Sequence, residues 1–457
     1  MLKDYKELKE NYFIMGGHLA DDLCQGALPA ILSFMYLEGK LTSYADIAFL
    51  IMATTMVNAV AQPLTGLLAD RRPRPWFMCA GMLIAALGIM FIGFVDNFAL
   101  LFLLVAINGV GVATFHPAAG KLANLFAKQH LLGKGMSIFS VGGNVGYALG
   151  PVYFTAGYVL FGLHATLLIC IPALIMTVFF VRKNKMYTEM SLQALAQAKV
   201  QKETAGLKEN YKGTLILLAL VFARSAAMFS LTAFLPLYFV HVLGKPEEGA
   251  ALTNSAIAIC GAAATLIGGS FSDKLGFTQL LRITSFAAVP FALIFVLTDN
   301  APLALTALMI ASFAYYMGMS PIVIIGQKFL CLHLGMATGL TVGLGISFGG
   351  IIAPVLGSVG DSYGLGATMQ IIVGLLALAA VISVFIPKVN GRLQNKSTPA
   401  KAKAEAQDQA RAPASEPAPS PAPSPAPASD PVPAPAAAAV SAPAAAAARS
   451  EAADSRD

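Results

Sequence analysis

Residues 99–112 read ALLFLLVAINGVGV, and residues 371–385 read IIVGLLALAAVISVF. Neither stretch alternates apolar with polar positions. A membrane β-barrel strand would be a segment of about 10 residues with that alternation, so a barrel is excluded. Apolar runs of this kind, each about 20 residues long, recur from Tyr12 to Ile386 with short polar breaks between them; that is the length a helix needs to cross the hydrocarbon core of a bilayer. The whole chain agrees. Of its 457 residues 57% are hydrophobic and only 12% are charged, with a mean hydropathy of +0.70, whereas a soluble domain carries about twice that share of charge. The chain reads as an all-α polytopic membrane protein.

Twelve spans are predicted. The first six cover residues 12–35, 44–69, 76–95, 98–122, 135–157 and 160–181, and six more cover 214–242, 249–272, 280–297, 301–327, 335–358 and 366–386. Landmarks of the first set recur about 200 residues later: Asp70 in GLLADR matches Asp273 in GGSFSDK, His116-Pro117 matches Ser320-Pro321, and a glycine-rich span ends at Pro151 and again at Pro354. Two pseudo-symmetric six-helix halves, residues 1–182 and 213–390, follow by duplication. Repeats of this sort, with a substrate site between them at the midplane, are a transporter architecture. Residues 183–212, rich in lysine, form the linker between the halves, with a surface helix expected over Ser191 to Lys202. From 391 to 457 the sequence turns to Ala/Pro/Ser repeats that cannot build a core and are expected to be a disordered tail.

The formal net charge of +6 is sorted by loop. Arg71, Arg72, Arg74, Lys128, Lys134, Arg182, Lys183, Lys185, Lys274, Arg282 and Lys328 fall on one side of the spans, and Lys40 and Lys245 on the other. By the positive-inside rule both termini are cytoplasmic, in a multi-pass protein of the cytoplasmic (inner) membrane. Such charge is topological and indicates no nucleic-acid partner. The apolar stretch after Asn11 contains Asp21 and Asp22 and lacks a small-residue cleavage site, so it reads as a retained span. The five cysteines lie in or beside spans without a CxxC pair, which indicates neither a disulfide frame nor a metal site. No GxxxxGK[ST] loop is present, and Gly345-Ile346-Ser347-Phe348-Gly349 fits GxSxG inside an apolar span with no strand before it. An enzyme and a cofactor are not expected, and the energy for transport must come from a gradient.

Charged groups inside a span are costly and are functional candidates by default. The first span holds His18, Asp21, Asp22 and Gln25, of which His18, Asp22 and Gln25 share one helical face. Asp22 lies about 10 residues, or roughly 15 Å, past the expected membrane edge, which is the midplane. A carboxylate there can take up and release a proton, and His18 and His116 are candidates for the relay. Arg224 stands at the equivalent position of the seventh span and is expected either to pair with Asp22 or to bind an anionic group of the substrate. Gln25, Asn144, Tyr315 and Tyr316 are further candidates for the substrate site. Asp70, Arg71 and Arg74, echoed by Asp273 and Lys274, read as a gate latch. Gly142, Gly146 and Gly150, four apart and followed by Pro151, mark a close helix crossing with a bend.

The strings HLADDLCQG (18–26), AQPLTGLLADRRPRPW (61–76), FHPAAGKLA (115–123) and SIFSVGGNVGYALGP (137–151) resemble the major facilitator superfamily and, within it, the fosmidomycin resistance group of proton-coupled drug exporters. The resemblance covers Tyr12 to about Pro387. It implies proton/drug antiport, with Asp22 as the first-span acid and the glycine-proline pattern of the fifth span as the antiporter signature. Pro73 stands where the superfamily's loop motif usually has glycine, in a PxPW form that suits the group, and Asp21 replaces the group's usual asparagine; the departures at Ala118 and Lys328, where the group commonly has glutamate, leave proton stoichiometry and substrate charge open. The function expected is a monomeric secondary transporter that exchanges protons for a small drug-like or anionic metabolite. The alternatives are a proton-coupled importer of a small organic anion and, in another class, a non-transporting membrane receptor or scaffold.

Overall fold

The computed structural model describes residues 6–205 and 208–389. Among them the secondary structure is helical and contains no strand. The first half holds α1 (Lys9–Leu37), α2 (Tyr44–Arg71), α3 (Trp76–Met90), α4 (Phe98–Phe126), α5 (Leu132–Phe161) and α6 (Thr166–Ala205). The second holds α7 (Tyr211–His241), α8 (Glu247–Leu275), α9 (Phe277–Leu297), α10 (Ala301–Met317), α11 (Met319–Phe329), α12 (Leu334–Thr338), α13 (Leu344–Tyr363) and α14 (Leu365–Phe385). Among the described residues nine stretches are long and apolar enough to cross a membrane, and one of these, Gln129–Val200, takes in both α5 and α6. Neither α1, with its mid-helix aspartates, nor the interrupted α12–α13 segment is among the nine. The Ala/Pro-rich tail expected over 391–457 lies outside the described residues.

The two halves repeat one another down to their helix ends. Asn97 accepts the Leu100 N–H at 3.1 Å and so caps α4, and Asn300 accepts the Leu303 N–H at 3.0 Å to cap α10. The two asparagines are 203 residues apart, the offset that also separates Asp70 from Asp273. Gly162 after α5 and Gly364 after α13 both turn the chain at positive φ, 56° and 84°, a conformation that is cheap for glycine alone. Packing follows the same rule. α1 lies along α5 as α7 lies along α13, α3 packs on α4 as α9 on α10, and α2 on α4 as α8 on α10. The halves meet along α5 against α8 and along α2 against α12.

The glycines of α5 explain its closeness to α1. A Cβ on Gly142, Gly146 or Gly150 would run into the α1 backbone at Met15, Leu19 or Ala27, and a Cβ on Gly26 of α1 would meet the backbone of Tyr147. With small residues on both sides the helix backbones touch, and dispersion replaces the hydrophobic drive that lipid cannot supply. The outside of the bundle is apolar, with Phe102, Leu103, Leu174, Ile175, Leu378 and Val381 exposed. Every backbone donor of a lipid-facing element must be bonded within its own helix, which accounts for the all-helical build.

Three local features differ from the sequence expectation. The surface helix expected over Ser191 to Lys202 is part of α6, which runs unbroken for 40 residues, because no glycine or proline falls between Pro172 and Gly206. The tenth span breaks at Gly318, where Pro321 withholds a backbone donor and is accepted in the first turn of a new helix. The eleventh contains a π-helical turn at Gly339–Gly343, a form concentrated at functional sites.

Candidate functional site

α1 carries its polar residues on a buried face. His18, Asp21, Asp22 and Gln25 are at most 8% exposed. Pro117 sits within an unbroken α4 and His116 beside it is 1% exposed, so the two elements bring His18, Asp21, Asp22 and His116 together. His18 Nε2 lies 3.3 Å from Asp22 Oδ2, and His116 Nε2 lies 3.1 Å from Asp22 Oδ1. Asp21 Oδ2 is 3.7 Å from His116 Nδ1. The His18 ring is stacked on Phe139 at 4.1 Å between centroids and stands edge-on to His116 at 4.8 Å.

The remaining ring nitrogens fix the chemistry. His18 Nδ1 is 2.7 Å from the Phe139 carbonyl oxygen, and His116 Nδ1 is 2.9 Å from that of Val112. A carbonyl oxygen only accepts, so each Nδ1 carries a hydrogen and each Nε2 is turned on a different oxygen of Asp22. With a bare carboxylate and two neutral imidazoles, lone pair would face lone pair in both gaps. His116 Nε2 and Asp22 Oδ1 make no hydrogen bond as they stand, and a proton on either ring replaces that repulsion with the attraction of an imidazolium for a carboxylate. No lysine or arginine pairs with Asp21 or Asp22 among the described residues. The arrangement can therefore hold and release protons in a dry place. Room for it comes from Gly143 of α5, where a Cβ would sit 2.5 Å from both Asp22 Oδ2 and His18 Nε2.

Arg224 lies thirteen residues into α7, just as Asp22 lies thirteen residues into α1. It is 3% exposed. Its Nη2 donates to the Tyr315 carbonyl at 2.5 Å, its Cζ lies 3.9 Å from the centre of the Tyr315 ring, and Nε has no hydrogen-bond partner. Tyr315 Oη donates in turn to the Arg224 carbonyl at 3.3 Å, and Tyr316 stands edge-on to Tyr315. Gly318, at the break between α10 and α11, leaves the space that Arg224 Nη2 uses. Of the two partners expected for Arg224, Asp22 is not one here: no carboxylate pairs with the guanidinium among the described residues. Gln25 Oε1 is buried without a partner, and Asn144 is half-buried.

Asp70 and Asp273, the aspartates expected in a latch, reach across the halves in matching ways. Asp70 accepts the N–H groups of Gly335 at 3.0 Å and Met336 at 2.9 Å at the start of α12, and the Lys121 ammonium of α4 at 2.8 Å. Asp273 accepts the N–H groups of Gly133 at 2.6 Å and Lys134 at 3.0 Å at the start of α5. Each carboxylate thus caps the first turn of a helix in the other half, where the unpaired N–H groups and the helix dipole favour negative charge. Arg71 and Lys274 are exposed, and Arg74 lies over the Phe77 ring at 5.4 Å. A third bridge also crosses between the halves: Asn124 Nδ2 donates to Gln327 Oε1 at 2.6 Å, and Gln327 Nε2 donates to Thr338 Oγ1 at 2.9 Å and to the Gly120 carbonyl at 3.2 Å.

Sequence reasoning did not reach Lys121, Gly143 or the amides at 335 and 336. Lys121 carried a signal, as a lone cation near the end of an apolar span. Gly143 stood in the glycine-rich string of the fifth span without marking which neighbour needed the space, and the amides act through backbone, which leaves no signature of residue type.

Comparison with known proteins adds the following. The profile of the Major Facilitator Superfamily matches residues 14–341. The fosmidomycin resistance protein of Escherichia coli (strain K12) is 27% identical over 375 residues, covering 81% of this chain and 90% of that protein. An uncharacterized MFS-type transporter of Bacillus subtilis (strain 168), YfnC, is 26% identical over 374 residues with the same coverage. Among solved structures, the transporter FucP in the outward conformation superposes with a TM-score of 0.65 at 16% identity, covering 84% of this chain and 99% of FucP. The proton:xylose symporter XylE gives 0.65 at 15% identity, covering 84% and 97%.

Proposed function

Because the chain belongs to the Major Facilitator Superfamily, and so is a membrane transporter of small molecules, we propose that it works as a proton-coupled antiporter exporting a small drug-like or anionic metabolite. The observation that carries this reading is Asp22, whose two oxygens face two imidazole Nε2 atoms in a buried site without lysine or arginine. Arg224 supplies the second element, a buried cation at the same depth of the other half that lacks an acidic partner and suits a phosphonate, phosphate or carboxylate. The relative named for fosmidomycin resistance supports the direction and the substrate class.

In this reading α1–α14 make twelve spans, with α10–α11 and α12–α13 each one interrupted span, and residues 183–212 link the halves. The end of the bundle that holds the N-terminus of α1 faces the cytoplasm. There Asp70 and Asp273 latch the halves closed. Protons taken up by Asp22, His18 and His116 from outside allow the return, and their release inside coincides with substrate binding at Arg224, Tyr315, Tyr316, Gln25 and Asn144. Opposite charges in the two halves make loading of one site sensitive to that of the other through rocking about the α5–α8 and α2–α12 seams. The test is efflux from proteoliposomes loaded with fosmidomycin. An inward-directed proton gradient is expected to speed efflux, and equal rates with and without the gradient would reject proton coupling.

A further inference from the structure

Thr54, Asn58, Gln62, Gly66 and Asp70 follow one another at four-residue intervals along α2 and so form a single ridge of that helix. The cytoplasm-proximal end of the ridge is the closed seam already described, with Gly66 against the Gly335 backbone and Asp70 on the α12 amides. The rest of the ridge is polar and unsatisfied. Thr54 is 5% exposed and Asn58 and Gln62 are 0% exposed. Thr54 Oγ1 and both side-chain amide atoms of Asn58 and of Gln62 have no hydrogen-bond partner.

A primary amide offers two donors and an acceptor with two lone pairs, and burying them unbonded is costly. The partners of Asn58 and Gln62 are therefore absent from this conformation. Gln62 is wedged against the π-helical turn: a Cβ on Gly343 would strike its amide, and a Cβ on Gly339 would strike its backbone carbonyl. The cover over Gln62 is thus the second half's interrupted helix, whose π-helical turn is a form concentrated at functional sites. Opening the α2–α12 seam would uncover Gln62, and Asn58 stands one helical turn further along α2.

We propose that Asn58 and Gln62 are a substrate-binding strip, buried in the closed state and offered only when the seam opens, which takes the neutral hydrogen-bonding end of the substrate. That end is a hydroxyl, amide or hydroxamate, and the inference rests on the reading above in which the anionic end goes to Arg224. The substrate class follows: a small molecule with an anionic group at one end and a polar donor–acceptor group at the other. A strip exposed only on the latch side binds best from that side, as loading for export requires.

The test uses the full-length protein purified in detergent and two probes. Fosmidomycin carries a phosphonate and an N-hydroxyformamide end, and propylphosphonate carries the phosphonate alone. By calorimetry the wild type is expected to hold fosmidomycin about tenfold tighter or more, since a site built to hydrogen-bond a group rejects the analogue without it. Asn58→Leu and Gln62→Met are expected to bring that preference to within about twofold, with melting temperatures of the unliganded protein equal to or above wild type. Arg224→Gln is expected to weaken both probes alike. A preference that survives both α2 substitutions, or one absent in the wild type, would overturn the proposal. So would a fall of several degrees in the melting temperature of both variants, because amides with internal partners destabilise when removed. If the wild type binds neither probe, the anion-export reading fails on its own account, and the melting temperatures still decide whether the two amides lack internal partners.

Discussion

Asp70 at the end of α2 and Gly335 at the start of α12 are joined across the two halves, the carboxylate Oδ1 accepting the glycine N–H at 3.0 Å. Asp273 and Gly133 repeat the bond at 2.6 Å on the opposite seam. Each aspartate is held by a helix N-terminus of the other half. Asp70→Ala strands two amides, at about 1–3 kcal/mol for each group left unpaired, and leaves the Lys121 ammonium with the Ala69 carbonyl alone. Spin labels at Arg72 and Lys274 are expected to report a longer distance in Asp70→Ala, with the open population raised about tenfold or more. Asp273→Ala is expected to act in the same direction and the double variant to exceed either.

Gly143→Ala is expected to abolish proton-driven transport while the chain still reaches the membrane. The added methyl would land 2.5 Å from Asp22 Oδ2 and from His18 Nε2, so the triad must move apart. Overpacking of this kind costs about 1–3 kcal/mol. Comparing gradient-driven efflux with substrate counterflow checks it, since counterflow needs no net proton movement and should fall less.

Arg224→Gln is expected to raise KM for an anionic substrate by about tenfold or more, as loss of a charge-assisted fork does. Arg224→Lys keeps the charge yet loses the planar contact with Tyr315 and is expected to recover only part of the affinity. Because Arg224 has no acidic partner within the described residues, Arg224→Gln should leave the melting temperature unchanged or raise it. Initial-rate transport with a thermal melt on the same preparations reads both effects.

Deleting residues 391–457 is expected to leave transport rate and KM within about twofold of wild type, since an Ala/Pro-rich segment contributes no core. Loss of function on this deletion would favour the receptor or scaffold alternative.

The sequence carried the fold because membrane spans obey a length rule and the duplication left Asp70 and Asp273, Pro151 and Pro354 in register. It also singled out the candidate residues. His18, Asp22 and Gln25 could be placed on one face by helical spacing, and charge at the midplane singled out Asp21, Asp22 and Arg224. What it could not carry was which atoms meet. That both histidines would turn Nε2 on Asp22 depends on the carbonyls of Phe139 and Val112, and backbone carbonyls look alike in any sequence. The candidate latch residues stood out as aspartate followed by basic residues, yet the partners of both aspartates are amides at 133, 134, 335 and 336. The π-helical turn at Gly339–Gly343 lies against Gln62 of another helix, a neighbour that no local pattern announces.

The most direct test of proton coupling at Asp22 is the pH change outside inside-out membrane vesicles when fosmidomycin is added, for the wild type, Asp22→Asn and His116→Gln. Substrate-induced proton movement is expected in the wild type, absent in Asp22→Asn and reduced in His116→Gln. A wild-type signal that persists at full size in Asp22→Asn would contradict the assignment of the proton site to Asp22 and its two histidines.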